Sequence, residues 1–114
     1  MKNRLELLTD LVAFNKPIKI LADGLSKFDW DSEEQPLIIS ASQVQDILQR
    51  FLDGEFSAKE LEEWANIIEC REDLEFEEKK HREIENIIYC LANPSLQGEI
   101  NPTLCKNLFN TLTR

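Results

Sequence analysis

The chain has 114 residues, 42% of them hydrophobic, with only 3 Gly and 4 Pro, a composition that excludes a disordered chain and bounds the fold to one domain. A core of that size stands without a structural metal or disulfides. The net charge of −9, from 22 acidic and 13 basic residues, repels phosphate backbones and anionic membranes alike, so direct nucleic-acid or membrane binding is disfavoured.

Leu5, Leu7, Leu8, Leu11 and Val12 fall near helical spacing, which predicts a first helix from about Arg4 to Phe14, halted before Asn15-Lys16-Pro17. Pro17 then opens a second helix, with Ile20, Leu21 and Leu25 on its inner side. Residues 1–28 therefore read as a helical hairpin, and 29–40 as an acidic linker loop in which Leu37-Ile38-Ile39 is a short extended segment. Residues 41–114 read as the core helices.

Ser40 with Gln43 and Ser57 with Glu60 spell capping boxes, each followed by an i, i+3, i+4, i+7 apolar stripe. The first stripe is Val44, Ile47, Leu48 and Phe51, ending at Gly54; the second is Leu61, Trp64, Ala65 and Ile68. Helices over about Ala41–Asp53 and Ala58–Glu69 follow, with Trp64 in the core. After a turn at Arg71-Glu72-Asp73, from which Leu74 and Phe76 tuck inward, the pattern predicts the longest helix from Glu77 until Asn93-Pro94 stops it. Asn101 caps a last helix with Pro102 at its first position. The sum is an all-α, single-domain bundle of five to six helices.

Charge is uneven along the chain: residues 1–54 carry −3, residues 55–85 carry −7 and residues 86–114 carry +1. The acidic middle makes Glu72, Asp73, Glu75, Glu77 and Glu78 the first candidate surface for a basic partner. The second is the loop set Asp29, Trp30, Asp31, Glu33 and Glu34. Trp30 has two readings there, an aromatic anchor steered by the flanking acids or a ring that folds back to close the core.

Enzyme chemistry finds no footing in the sequence. Glu78-Lys79-Lys80-His81 has the Glu-x-x-His spacing of carboxylate-bridged metal sites, but a chain with one His supplies half of such a site. Cys70, Cys90 and Cys105 lack the close pairs of zinc ligands, and Cys90 and Cys105 read as small core residues. The carboxylates Glu77, Glu78, Glu83 and Glu85 look uniformly exposed, whereas acid and base work needs environments that drive two pKa values apart. The three glycines are isolated, so no phosphate loop exists. No cofactor, no metal and no catalytic residue is expected. The odd cysteine count, the N-terminus MKNRLELLTD without a secretory apolar run, and the lack of any apolar run near the ~20 residues that span a bilayer point to a reducing cytoplasm.

The stretches Leu52-Asp53-Gly54-Glu55-Phe56-Ser57, Leu61-Glu62-Glu63-Trp64-Ala65-Asn66, Glu69-Cys70-Arg71-Glu72-Asp73-Leu74, Phe76-Glu77 and Leu91-Ala92-Asn93-Pro94 together resemble a group of small acidic helical bacterial proteins. Similar proteins occur among the immunity proteins encoded beside toxins of contact-dependent growth inhibition systems. The likeness runs from about Gln43 to the C-terminus and is loose over residues 1–40. The chain departs from the group at Cys70, where Gly is frequent. The resemblance implies a cytoplasmic protein, a monomer or weak dimer, that binds one cognate toxin C-terminal domain and blocks it. A nuclease with a basic cleft is the expected toxin, because it must attract phosphate and an acidic surface complements it. Within the motif, Trp64 and Asn66 read as structural, the amide of Asn66 satisfying backbone groups, and Arg71 with Asp73 as a local charged pair. The alternative is a non-enzymatic adaptor or regulator with no toxin partner.

Overall fold

The computed structural model describes residues 4–26, 37–71 and 74–113. Among these lie α1 (Arg4–Ala13), α2 (Ile18–Leu25), β1 (Leu37–Ile39), α3 (Ala41–Leu52), α4 (Ala58–Cys70), β2 (Leu74–Phe76), a single 3-10 turn (Glu78–Lys80), α5 (His81–Ala92), α6 (Pro94–Gln97) and α7 (Pro102–Thr111). The fold is mostly helical, with a two-stranded sheet as its only β-structure among the described residues.

Local chemistry sets the helix starts. Ser40 Oγ accepts the Gln43 amide at 3.2 Å while Gln43 Oε1 accepts the Ser40 amide at 2.8 Å. Ser57 Oγ and Glu60 Oε1 do the same across the start of α4, at 3.1 and 3.0 Å. Asn101 Oδ1 accepts the Leu104 amide at 2.8 Å. Each pair satisfies amides that the first helical turn leaves without partners. Past α3, Gly54 takes a φ of +87°, a left-handed conformation that a side chain would strain.

Four expectations need correction. No helix starts at Glu77: the chain makes the 3-10 turn first, α5 begins at His81, and α4, with 13 residues, exceeds the 12 of α5. Pro94 does more than stop α5, since it opens the short α6. Ile20 faces solvent at 57% exposure, as does Leu5 at 56%; Ile18 replaces Ile20 on the inner side of α2, beside Leu21 and Leu25. Leu74 and Phe76 do turn inward, but as strand β2.

β2 pairs in parallel with β1 in the register Leu37 to Leu74, Ile38 to Glu75 and Ile39 to Phe76, and the Glu77 amide extends the ladder to Ile39 O at 2.8 Å. Two side chains then tie distant segments together. Glu77 Oε1 accepts the amide of Ala41, the first residue of α3, at 2.9 Å. Arg50 donates from Nη1 to Ala13 O at 2.7 Å and from Nη2 to Phe14 O at 2.9 Å, which places a cation at the carbonyl end of α1.

Every described helix except α6 and the 3-10 turn sends buried side chains into one apolar core. Trp64 sits in it with no exposed surface, and its indole N–H donates to Leu11 O at 2.7 Å, so the polar atom of a large buried ring is satisfied. Phe14, at a φ of +49°, stacks on Phe56 with centroids 4.1 Å apart and lies 6.3 Å from Trp64. Arg50 covers the Phe56 ring at 4.6 Å and bonds Glu55 at 2.9 Å, so one guanidinium joins α1, α3 and the loop before α4. The radius of gyration, 13.4 Å, matches the roughly 13 Å of a single compact domain this long.

Candidate functional site

The main concavity follows from the place where α4 ends. α4 and α5 pack against each other, with Ile68 and Ile88 buried at one cleft, but α4 stops at Cys70 and Arg71 is extended, so α5 continues beyond its cover. β2 runs past this opening. The result is a cleft of about 570 Å³ with Ile68, Leu74 and Ile88 as an apolar floor and Glu69, Glu85 and Tyr89 at the rim. Arg71 is buried in the wall, and Arg82 is exposed beside it. Tyr89 keeps 41% of its surface in solvent. The charge of the cleft is mixed, with the carboxylates of Glu69 and Glu85 and the guanidiniums of Arg71 and Arg82 around the Tyr89 ring.

The acidic candidates divide three ways. Glu75 and Glu78 are exposed, Glu75 on the outer face of β2 and Glu78 in the 3-10 turn. Glu77 is half-buried and spends a carboxylate oxygen on the Ala41 amide, so the expectation that it is a freely exposed carboxylate is wrong. The reason is tertiary: the strand pairing brings the start of α3 against a residue far away in sequence. Glu72 and Asp73 lie outside the described residues, as does the whole second set, Asp29, Trp30, Asp31, Glu33 and Glu34. Glu69 and Glu85 were missed by sequence reasoning. The usable signal was that each borders an inward position, Ile68 and Ile84, on the two helices whose stripes face each other.

Asn66 is also corrected: it is exposed and makes no side-chain hydrogen bond among the described residues. His81 approaches Glu85, its Nδ1 3.7 Å from a carboxylate oxygen, and meets the Phe76 ring edge-on at 5.5 Å. Glu78 belongs to the 3-10 turn and His81 starts α5, so the Glu-x-x-His spacing straddles two elements. Among the described residues no group of three or more His, Cys, Asp or Glu is arranged to hold a metal ion. Burial pushes the Cys105 thiol up to about 11 and raises that of Cys90, which keeps both protonated near neutral pH and unsuited to nucleophilic attack.

A second, more apolar groove of about 360 Å³ lies between α2 and α4, lined by Ala22, Leu25, Ile67 and Cys70. No described helix is long and apolar enough to cross a membrane. No protein-family model matches the chain, and comparison with curated proteins and with solved structures likewise returns no significant match.

Proposed function

We propose that this chain is a non-enzymatic, cytoplasmic immunity protein that binds and neutralises a cognate bacterial toxin domain, one with a basic, nuclease-like cleft. The observation that carries the reading is that Glu69 on α4 and Glu85 on α5 line one cleft while Glu75 on β2 and Glu78 in the 3-10 turn are also exposed, all within the chain segment that holds −7 of the −9 net charge. Such a face raises the association rate with a basic partner and, seated over its cleft, excludes substrate. The motif resemblance over residues 43–114 supports the same reading.

The α2–α4 groove favours a second reading, an adaptor that holds an apolar helix or loop. Growth separates the two. The product of the reading frame immediately upstream is induced in cells with and without this chain. Arrest relieved by the chain, with a complex recovered on pull-down, is the expected result; an arrest that persists, with no complex, refutes immunity.

A further inference from the structure

We infer that the edge of β2 left unpaired among the described residues docks an extended segment of the partner protein in which aliphatic and basic side chains alternate. The inference names the chemistry of contact for the partner proposed above and rests on that reading for the partner's existence.

The backbone comes first. The Glu77 amide bonds Ile39 O, and Ile39 is in register with Phe76, so the backbone groups that reach toward β1 are those of Glu75 in β2 and of Glu77 just past its end. Backbone groups alternate sides along a strand, which aims the amide and carbonyl of Phe76 away from β1. Among the described residues nothing bonds them. The cleft takes Leu74 and Phe76 from β2 and no residue from β1, so it lies along this unpaired side. A two-stranded sheet with room beside it can accept a third strand by main-chain hydrogen bonds.

The side chains then select the occupant. Leu74 and Phe76 face the interior, while Glu75 and its ladder partner Ile38, 57% exposed, face solvent. An added strand follows the same alternation. Its inner residues lie over the cleft beside Leu74, Phe76 and the exposed ring of Tyr89, which calls for aliphatic side chains. Its outer residues stand beside Glu75, which calls for Lys or Arg. A second copy of this chain is disfavoured in the same place, because edge-to-edge pairing of two β2 strands sets Glu75 near its own duplicate.

The test uses the full chain and a blocked peptide of alternating valine and lysine, followed by amide hydrogen exchange and fluorescence anisotropy. In the free chain the Phe76 amide exchanges faster than those of Glu75 and Glu77; on saturation with peptide it slows by about tenfold or more. Glu75→Lys weakens that peptide by roughly three- to tenfold and strengthens a valine–glutamate peptide. No binding up to about 1 mM overturns the proposal. So does binding that leaves the Phe76 amide unchanged, or protection that appears only as protein concentration rises. The two readings fail separately: growth rescue by a complex in which the Phe76 amide stays unprotected removes strand addition and keeps immunity, whereas peptide addition without rescue does the reverse.

Discussion

Replacing Glu77 by Ala removes the carboxylate that accepts the Ala41 amide at 2.9 Å. That amide belongs to the first residue of α3, where a helix leaves its donors unpaired, and Ser40 already serves the amide of Gln43 instead. A charge-assisted hydrogen bond contributes about 1.5–3 kcal/mol, and the charge–dipole attraction at a helix start adds a few tenths. The site is half-exposed, so water recovers part of both. The expected loss is about 1–2 kcal/mol, in the range of other helix-cap deletions. For a chain of this size that lowers Tm by roughly 4–8 °C, and the urea midpoint falls by about 0.5–1 M at an unchanged slope. Glu77→Gln keeps an acceptor and loses about half as much. Glu75→Ala and Glu78→Ala, at exposed positions with no bond described, stay within about 0.5 kcal/mol of the parent. Urea melts of the four variants decide the matter. If Glu77→Ala melts with Glu78→Ala, the bond to Ala41 does not hold the β1–α3 corner, and Glu77 returns to the set of contact candidates.

Three further perturbations probe the core and its ties. Trp64→Phe keeps most of the buried ring but leaves Leu11 O without its 2.7 Å donor, which costs about 1–3 kcal/mol by chemical denaturation; an unchanged midpoint would show that water replaces the indole. Arg50→Lys cannot serve the Ala13 and Phe14 carbonyls and Glu55 together, so it loses about 1–2 kcal/mol, read in the same way. Cys105 sets an alkaline limit. Its folded value of about 11 exceeds the ordinary 9.0, so its contribution is fully present below pH 9 and is lost toward pH 11 as the unfolded thiol ionises first. The slope approaches about 1.4 kcal/mol per pH unit in that window, and the difference between the parent and Cys105→Ala isolates it.

What the sequence made legible is what acts over a few residues. The capping pairs at Ser40 and Ser57 close across three positions, Gly54 needs only its own φ, and the stripes of α3, α4 and α5 repeat within one helix. The extended reading of Leu37–Ile39 held as well, but its partner did not show, because a parallel pair joins segments that no local period connects. The same gap hid the role of Glu77 and the 3-10 turn after it. Glu78-Lys79-Lys80 are good helix formers, yet the ladder bond of Glu77 to Ile39 and its side-chain bond to Ala41 pin the chain just before them. In α2 the apolar residues Ile18 and Ile20 both suit a helix, and packing against α1 and α4 buries Ile18 and leaves Ile20 in solvent. The acidic surface was legible as composition, and Glu75 and Glu78 as exposed members. The cleft was not, since it exists only because α4 stops short of α5 and β2 runs beside the gap.

The decisive measurement is the association rate of the purified chain with the upstream toxin domain at low and high salt, for the parent and for the triple variant Glu69→Lys, Glu75→Lys and Glu85→Lys. An acidic docking face predicts an association rate that falls steeply with salt and drops by at least about tenfold in the variant at low salt, with the fold intact by circular dichroism. A rate indifferent both to salt and to the three reversals would contradict binding through this face.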